Sequence, residues 1–173
     1  GRVMIAGGSG PNGTFDPLSS VEIYNPATGV WASTASMTAA RVGHTALLLP
    51  NGKVLVVGGA TGTTTNPHVH ATSELWDPVT GKWTASGNFL TPRAFPSALL
   101  LANGRPLVAG GSNFVSITFA STDLYDAVSG GWTATGSMLT ARMSHTATLL
   151  PNGRVLVTGG TGSVGVLGSS EYY

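Results

Sequence analysis

One phrase, an apolar run that ends in a pair of glycines, occurs four times along this chain of 173 residues. The copies are GRVMIAGG (1–8), GKVLVVGG (52–59), GRPLVAGG (104–111) and GRVLVTGG (153–160). A period of about fifty residues is typical of repeat architectures, in which each unit buries its apolar surface against its neighbours. We therefore expect one repeat domain, with units at 1–51, 52–103, 104–152 and an incomplete 153–173.

The fourth copy looks like a nucleotide-binding site when it is read alone. Thr158-Gly159-x-x-Gly162-x-x-Gly165 after an apolar run resembles the glycine fingerprint of short-chain dehydrogenases. That fingerprint carries weight only where a helix follows it, with an acidic residue about 20 positions further on. No helical pattern follows Gly165, and the other three units lack the fingerprint. We therefore interpret these glycines as structural and predict no cofactor.

The composition favours many short strands joined by turns. Charged residues make up 9% of the chain, against roughly 25% in ordinary globular domains, and 25 residues are glycine. The absence of cysteine excludes disulfides, thiolate nucleophiles and cysteine metal sites. A net charge of +1 gives no electrostatic reason to expect nucleic acid or an anionic membrane as a partner. No apolar run approaches the roughly 18 residues of a membrane span.

Each unit reads as four antiparallel strands, here lettered a to d. Strand a ends at an Asn-Gly turn such as Asn103-Gly104, a strong hairpin signal between apolar runs. Strand b is the repeated phrase, a polar loop follows, strand c alternates as in TSELWDP, and strand d is short, as in KWTASG. Four-stranded antiparallel units repeated at this spacing predict the blades of a β-propeller. The chain reads b-c-d, a-b-c-d, a-b-c-d and a-b-c, about 3.5 blades.

The double glycine, the aromatic residue before each tryptophan and the Met-x-x-x-Arg pattern resemble kelch repeats. HTATLLPNGRVLVTGG is also similar to bacterial repeats of the galactose-oxidase-like type. This resemblance implies an all-β propeller of kelch blades, which closes as a ring of more blades than this chain supplies. We therefore expect a fragment of a longer propeller. The sequence begins at Gly1 without a signal peptide or an initiating Met, so we also expect the true N-terminus to be missing. The missing blades would come from the rest of the polypeptide or from a second copy.

The variable b–c loops and the d–a connections are expected to share one face of the propeller. Binding groups commonly lie on variable loops that a rigid scaffold holds in place. The candidates for ligand contact on this face are Arg41, Arg93, Arg142, His44, His145, Phe15 and Phe114.

Two alternatives are open for the arginines, which occur once per blade. They fasten neighbouring blades through backbone carbonyls, or they face a central depression and bind carboxylates or sugar hydroxyls. The regular placement favours the first alternative. The resemblance keeps the second open, because arginines at the matching position bind acidic peptides in some kelch domains.

The histidines and tryptophans have structural interpretations too. His44 and His145 stand at the start of strand a, a position typical of a buried, hydrogen-bonded histidine. His68 and His70 are weak metal candidates, because no third ligand lies near them in the sequence, and we predict no metal site. The tryptophans recur at one point of the blade and are expected to be packing residues: Trp31, Trp83 and Trp132.

Three functions are compatible with the sequence. We favour a non-catalytic propeller module that binds a protein or a glycan through its b–c and d–a loop face. The resemblance suggests instead a fragment of a copper radical oxidase, whose active-site residues would lie outside this cysteine-free chain. The third function is a purely structural segment. Abundant Gly, Ser and Thr with few Lys and Glu favour an extracellular or cell-surface location.

Overall fold

A computed structural model describes residues 1–11 and 15–173, and all regular structure in these residues is β. In chain order the strands are β1 (Val3–Ala6), β2 (Val21–Asn25), β3 (Val30–Thr34), β4 (Thr45–Leu48), β5 (Val54–Val57), β6 (Ala60–Gly62), β7 (Pro67–Val69), β8 (Thr72–Asp77), β9 (Lys82–Asn88), β10 (Ser97–Leu100), β11 (Pro106–Ala109), β12 (Thr122–Tyr125), β13 (Trp132–Thr135), β14 (Thr146–Leu149), β15 (Val155–Thr158), β16 (Thr161–Gly162), β17 (Gly165–Val166) and β18 (Ser170–Tyr172).

These strands form four small antiparallel sheets that follow one another along the chain. The first blade is β1-β2-β3, the second β4-β5-β8-β9, the third β10-β11-β12-β13 and the fourth β14-β15-β18. Strands β1, β5, β11 and β15 carry the repeated phrase and occupy the strand-b position. The predicted all-β fold of small antiparallel blades is confirmed.

The paired glycines are the points at which one blade meets the loop that enters the next. A Cβ added to Gly58, where φ is +66°, would lie 2.4 Å from the carbonyl oxygen of Arg93. The N–H of Gly59 donates to that same oxygen at 2.9 Å. Gly7-Gly8 and Gly110-Gly111 repeat this contact with Arg41 and Arg142. Only a residue without a side chain allows such a close backbone approach in a left-handed conformation.

Two of the predicted polar loops between strands b and c contain a short hairpin in the structure. The loop of the second blade contains the hairpin β6-β7, and that of the fourth contains β16-β17. The second of these hairpins holds Gly162 opposite Gly165, so two glycines of the dehydrogenase-like fingerprint pair across a tight turn. A hairpin therefore stands where a dinucleotide-binding site requires a helix.

The hydrophobic core lies between successive blades rather than within any one of them. The cluster between the first and second blades has four buried members, Val21, Met37, Val56 and Trp83. The cluster between the second and third is the largest and comprises Leu49, Leu55, Val57, Phe89, Val108 and Tyr125. The cluster between the third and fourth contains Leu107, Val155 and Val157. Burial of these faces against each other is the main contribution to stability.

The strand-d tryptophans, Trp31, Trp83 and Trp132, occupy equivalent registers but differ in burial. Each pairs with an aromatic residue of strand c, in the pairs Tyr24–Trp31, Trp76–Trp83 and Tyr125–Trp132. The Trp83 indole N–H donates to Ala35 O of the first blade at 2.8 Å. The Trp132 indole N–H donates to Ser73 Oγ of the second blade at 3.1 Å. Trp31 is 44% exposed and contacts Tyr24 of its own blade, with ring centroids 5.0 Å apart, whereas Trp83 and Trp132 also bond to the preceding blade.

Candidate functional site

The b–c loops and the d–a connections lie together on one face, here called the loop face. Bridges join them in successive blades at Val42–Ala60, Ala94–Ser112 and Met143–Thr161. The a–b and c–d turns lie on the opposite face, where Lys53 Nζ is 3.2 Å from Asp77 Oδ2. The variable segments are therefore collected on one side of the molecule.

Backbone hydrogen bonds join each d–a connection to the next one, directly before strand a begins. The N–H of Phe95 donates to Gly43 O at 2.6 Å, and the N–H of Ser144 donates to Phe95 O at 3.0 Å. All three residues have positive φ, at 64°, 56° and 52° respectively. A left-handed conformation is unusual for phenylalanine. The backbone hydrogen bonds on both sides hold Phe95 at this position.

Three phenylalanines meet on the loop face and form what is here called the phenylalanine cluster: Phe15, Phe95 and Phe114. The ring of Phe114 stacks on Phe95 with centroids 5.4 Å apart and meets the edge of Phe15 at 5.0 Å. The next residues of the same loop include Val115, 74% exposed, and Ile117, 55% exposed. The cluster with these two residues is here called the apolar patch.

The side chain of Asn113 helps to hold the loop that carries the exposed end of the apolar patch. Asn113 Oδ1 accepts hydrogen bonds from the backbone N–H groups of Val115, Ser116 and Ile117 at 2.8 to 3.1 Å. A cavity of about 170 Å³ adjoins this loop, between the third and fourth blades. Among the residues that the structure describes, its lining includes Phe114, Val115, Ile117, Met143 and Gly162, and no charged residue.

The sequence predicted Phe15 and Phe114 for this face but missed Phe95. Phe95 lies within the repeat pattern, where the first and third d–a connections have Gly43 and Ser144. A departure from the repeat at that position was the available signal, because a bulky phenylalanine stands where the other two connections have a glycine and a small serine. The structure therefore brings together two predicted residues and one that was not predicted.

The three arginines of the d–a connections are buried, with side chains 0–1% exposed. Each guanidinium donates to the carbonyl of a first glycine and to a carbonyl near the start of strand c. For Arg41, Arg93 and Arg142 the glycine carbonyls are Gly58 (2.7 Å), Gly110 (3.0 Å) and Gly159 (2.7 Å). The second carbonyls are Thr72 (3.1 Å), Ser121 (2.9 Å) and Ser169 (3.1 Å). This arrangement supports the structural alternative, and a ligand role for the arginines stays a prediction.

Each arginine also forms an ion pair with a carboxylate on strand c of its own blade. The Nη2–oxygen distances are 3.0 Å for Arg41–Glu74, 2.8 Å for Arg93–Asp123 and 2.7 Å for Arg142–Glu171. These carboxylates were not predicted from the sequence. They could have been found from the sequence, because an acidic residue recurs at the same position of strand c in TSELW, TDLY and SSEYY.

The environments of the carboxylates shift their pKa values in opposite directions. Burial alone would raise the pKa of Glu74, but hydrogen bonds from Thr38 and Arg41 lower it below its ordinary value. Burial raises the pKa of Asp123, and the charge of Arg93 offsets only part of this effect. The shorter Asp123 side chain bonds to Arg93 without the loop contacts that Glu74 has.

The two histidines at the start of strand a are packed within the fold. His145 is 7% exposed, and its Nε2 lies 2.7 Å from Ser97 Oγ of the preceding blade. Burial and the charge of Arg142 lower the pKa of His145 to about 4. Burial and the charge of Arg41 also lower the pKa of His44. Both side chains are therefore neutral near pH 7, and ligand contact through them stays a prediction.

The histidine pair of the second b–c loop is divided between interior and solvent. His70 is buried with its Nε2 3.3 Å from Ala40 O, whereas His68 is exposed. The two rings meet edge-on with centroids 5.3 Å apart. In residues 1–11 and 15–173, no three His, Asp or Glu side chains gather in a way that could hold a metal ion. No helix in this described part of the chain is long and apolar enough to cross a membrane.

The comparisons with known proteins agree with the geometry of the blades. A family model for the Kelch motif matches residues 41–86, which contain the second blade almost entirely. The fold is therefore that of kelch repeats.

Two curated relatives come from Limulus polyphemus. The chain is 30% identical to alpha-scruin over 115 residues, which is 65% of this chain and 12% of that protein. It is 33% identical to beta-scruin over 100 residues, 56% of this chain and 11% of that protein. The chain thus spans a small part of the length of the relatives it matches.

Proposed function

We propose that this chain is a non-catalytic module that binds a protein partner through the apolar patch of its loop face. The observation that carries this proposal is the exposure of Val115 and Ile117 beside the phenylalanine cluster. Exposed apolar patches commonly mark interaction sites. Partner proteins commonly insert a few apolar anchor residues into such pockets.

The chemistry of the cavity favours a protein over other ligands. In the described part of the chain, its lining consists of apolar side chains, backbone and hydroxyl groups, without a charged residue. An apolar side chain of a partner would displace water from this surface, and the burial of apolar area would favour binding. Glycan binding at the same face is the weaker form of the proposal, because apolar side chains dominate the patch.

The other functions concern a longer protein. Three proposals rest on the sequence resemblance and composition. They are a galactose-oxidase-like copper activity, missing blades from the rest of a polypeptide, and an extracellular or cell-surface location. This chain supplies no cysteine for the copper site. The loop-face proposal needs none of these.

Selection from a phage-displayed library of random twelve-residue peptides tests the proposal. We expect selected peptides to carry apolar anchors and to lose at least tenfold in affinity for the double variant Val115→Ser with Ile117→Ser. The matched control is Val79→Ser with Val128→Ser, which removes two apolar side chains, 91% and 98% exposed, from the c–d turns of the opposite face. Peptides that lose affinity for the control variant, or bind both variants equally, would contradict the proposal.

A further inference from the structure

A cleft of about 420 Å³ opens between the second and third blades on the face opposite the loop face, here called the turn face. The a–b turns of both blades and the c–d turn of the third blade line this cleft. Its size is typical of sites that bind small ligands. The buried Leu49 and the prolines Pro50 and Pro106 supply apolar surface. Among the described residues, the charged members of its lining are Arg105 and Asp126.

The guanidinium of Arg105 is held at one nitrogen and keeps its other two nitrogens available. Its Nε donates to Tyr125 O at 3.4 Å, which ties the side chain to the end of strand c. In residues 1–11 and 15–173, neither Nη atom of Arg105 forms a hydrogen bond or an ion pair. The two Nη atoms of an arginine match the two oxygens of a carboxylate in a forked geometry.

The equivalent cations of the neighbouring blades are engaged by side chains of their own blades. Lys53 stands at this position in the second blade, and its Nζ is 3.2 Å from Asp77 Oδ2. Arg154 stands there in the fourth blade, with its guanidinium carbon 6.0 Å from the centroid of the Tyr172 ring. Among these three blades, the available guanidinium therefore belongs to the third.

Asp126 lies in the same cleft, but its hydrogen bonds are made to its own turn. Its Oδ1 accepts the backbone N–H groups of Val128 at 2.8 Å and Ser129 at 3.4 Å. These hydrogen bonds lower the pKa of Asp126, so the carboxylate is charged near pH 7. Its charge therefore reduces the affinity of the cleft for an anion without occupying the Nη atoms of Arg105.

Two asparagines add neutral donors to the rim of the cleft. Asn51 Oδ1 accepts the N–H of Lys53 at 3.1 Å, and Asn103 Oδ1 accepts the N–H of Arg105 at 3.0 Å. Both asparagines are exposed, so their Nδ2 groups can donate to a ligand. The cleft thus combines donors from three side chains with apolar surface.

The distribution of charges favours an anion on the turn face. Outside the buried ion pairs, every lysine and arginine stands at the start of strand b or strand d, next to the turns: Arg2, Lys53, Lys82, Arg105 and Arg154. The b–c loops and d–a connections contain the carboxylate of Asp16 and no lysine or arginine beyond the buried pairs. Neighbouring cations raise the local concentration of an anionic ligand.

We propose that this cleft binds a carboxylate carried on a short apolar body. The Nη atoms of Arg105 bind the carboxylate, and Leu49, Pro50 and Pro106 contact the body. A peptide chain end with an aliphatic last residue and a small aliphatic acid share this chemistry. The cleft lies on the face opposite the apolar patch, so this proposal stands independently of the proposed function.

The test titrates the 173-residue protein with N-acetyl-leucine and follows its backbone amide signals by NMR. We expect the signals of Arg105 and Asp126 to shift. The matched neutral probe, N-acetyl-leucinamide, should bind at least about tenfold more weakly, because it lacks the charge-assisted hydrogen bonds. Arg105→Gln should weaken binding of the acid by a similar factor. The control variant Lys53→Gln removes a cation from the same strand position, already paired with Asp77, and should change the Kd by less than about twofold.

Two further variants locate the site. Asp126→Asn keeps an oxygen for the turn and removes the opposing charge, so the acid should bind about threefold more tightly. The double variant Val115→Ser with Ile117→Ser should leave the Kd of the acid unchanged, because it alters only the apolar patch of the loop face.

Several results would overturn the proposal. They are the absence of shifts at the cleft, equal affinity for the acid and its amide, and weaker binding to Asp126→Asn. Unchanged binding to an Arg105→Gln protein whose NMR spectrum shows it to be folded would also overturn it, as would loss of binding in the loop-face double variant. A comparison of N-acetyl-prolyl-leucine with 4-methylpentanoate then separates the two sources. A peptide chain end predicts tighter binding of the first probe, and a small acid predicts tighter binding of the second.

Discussion

Arg93 and Asp123 form a buried ion pair, with 2.8 Å between Nη2 and Oδ2, that lacks the additional loop contacts of its counterparts in the neighbouring blades. Glu74 accepts hydrogen bonds from the backbone N–H groups of Thr38 and Ala39 as well as from Arg41. Aspartate is one methylene shorter than glutamate. The carboxylate of the third blade therefore accepts fewer hydrogen bonds from its entering loop than that of the second blade does.

Asp123→Glu is expected to stabilise the protein by about 1 kcal/mol, because the longer side chain can accept loop N–H groups as Glu74 does. The reciprocal change, Glu74→Asp, is expected to destabilise it by a similar amount. Urea unfolding at pH 7 measures both. A destabilised Asp123→Glu variant would contradict this account of the ion pairs, and its crystal structure would show whether the loop contacts had formed.

Because His145 is buried and neutral in the folded protein, we expect the free energy of unfolding to decrease with falling pH. This decrease should begin above the pH range in which carboxylates titrate. The pKa of His145 is about 4 in the folded protein, against 6.5 for an unperturbed histidine. Between these values the unfolded chain binds more protons than the folded chain, so stability falls as pH decreases from about 6.5 toward 4. The full contribution of this group is on the order of 3 kcal/mol.

Urea unfolding between pH 4.5 and pH 7.5 checks the expectation for His145. His145→Gln keeps a polar group near Ser97 but does not titrate, so its stability should decline less over this interval. His44 also has a lowered pKa, and a residual slope in the variant is expected from it. Identical pH profiles for the variant and the original protein would contradict the assignment.

Gly58 and Gly159 provide a matched pair that isolates the contact between blades. Both have positive φ, +66° and +65°, so alanine strains the backbone equally at the two positions. A Cβ at Gly58 would lie 2.4 Å from Arg93 O, whereas at Gly159 the nearest neighbour is Leu167 O at 3.7 Å. We expect Gly159→Ala to cost about 1 kcal/mol and Gly58→Ala at least about 2 kcal/mol more. Equal losses in thermal or urea unfolding would show that backbone strain alone explains the glycines.

Much of the fold could be predicted from the sequence because its signals are local and repeated. The Asn-Gly turns, the apolar strand b and the double glycines each follow from nearby residues, and repetition separates them from chance. The hairpin β6-β7 was missed because its short strands, in the Thr-rich segment after Gly59, lack an alternating apolar pattern.

The contents of the loop face were harder to predict, because they depend on contacts between distant segments. Phe15, Phe95 and Phe114 come from three separate connections and meet only through the stacking of the blades. The partner of Arg41 lies 33 residues away on strand c, and no local pattern joins the two. Trp31 repeats the position of Trp83, yet the two side chains are 44% and 9% exposed, a difference that no local pattern predicts.

The central claim is that the apolar patch binds partners while the buried arginines hold the blades together. The most direct test measures two quantities, peptide affinity and free energy of unfolding, for Arg93→Lys and for the double variant Val115→Ser with Ile117→Ser. Lysine cannot reproduce the forked contacts of Arg93, so we expect a loss of about 3 kcal/mol in stability and an unchanged peptide Kd in the folded protein. The double variant should show the reverse, a Kd raised at least tenfold and stability within about 0.5 kcal/mol. An Arg93→Lys protein that keeps its stability but loses the peptide would contradict the account.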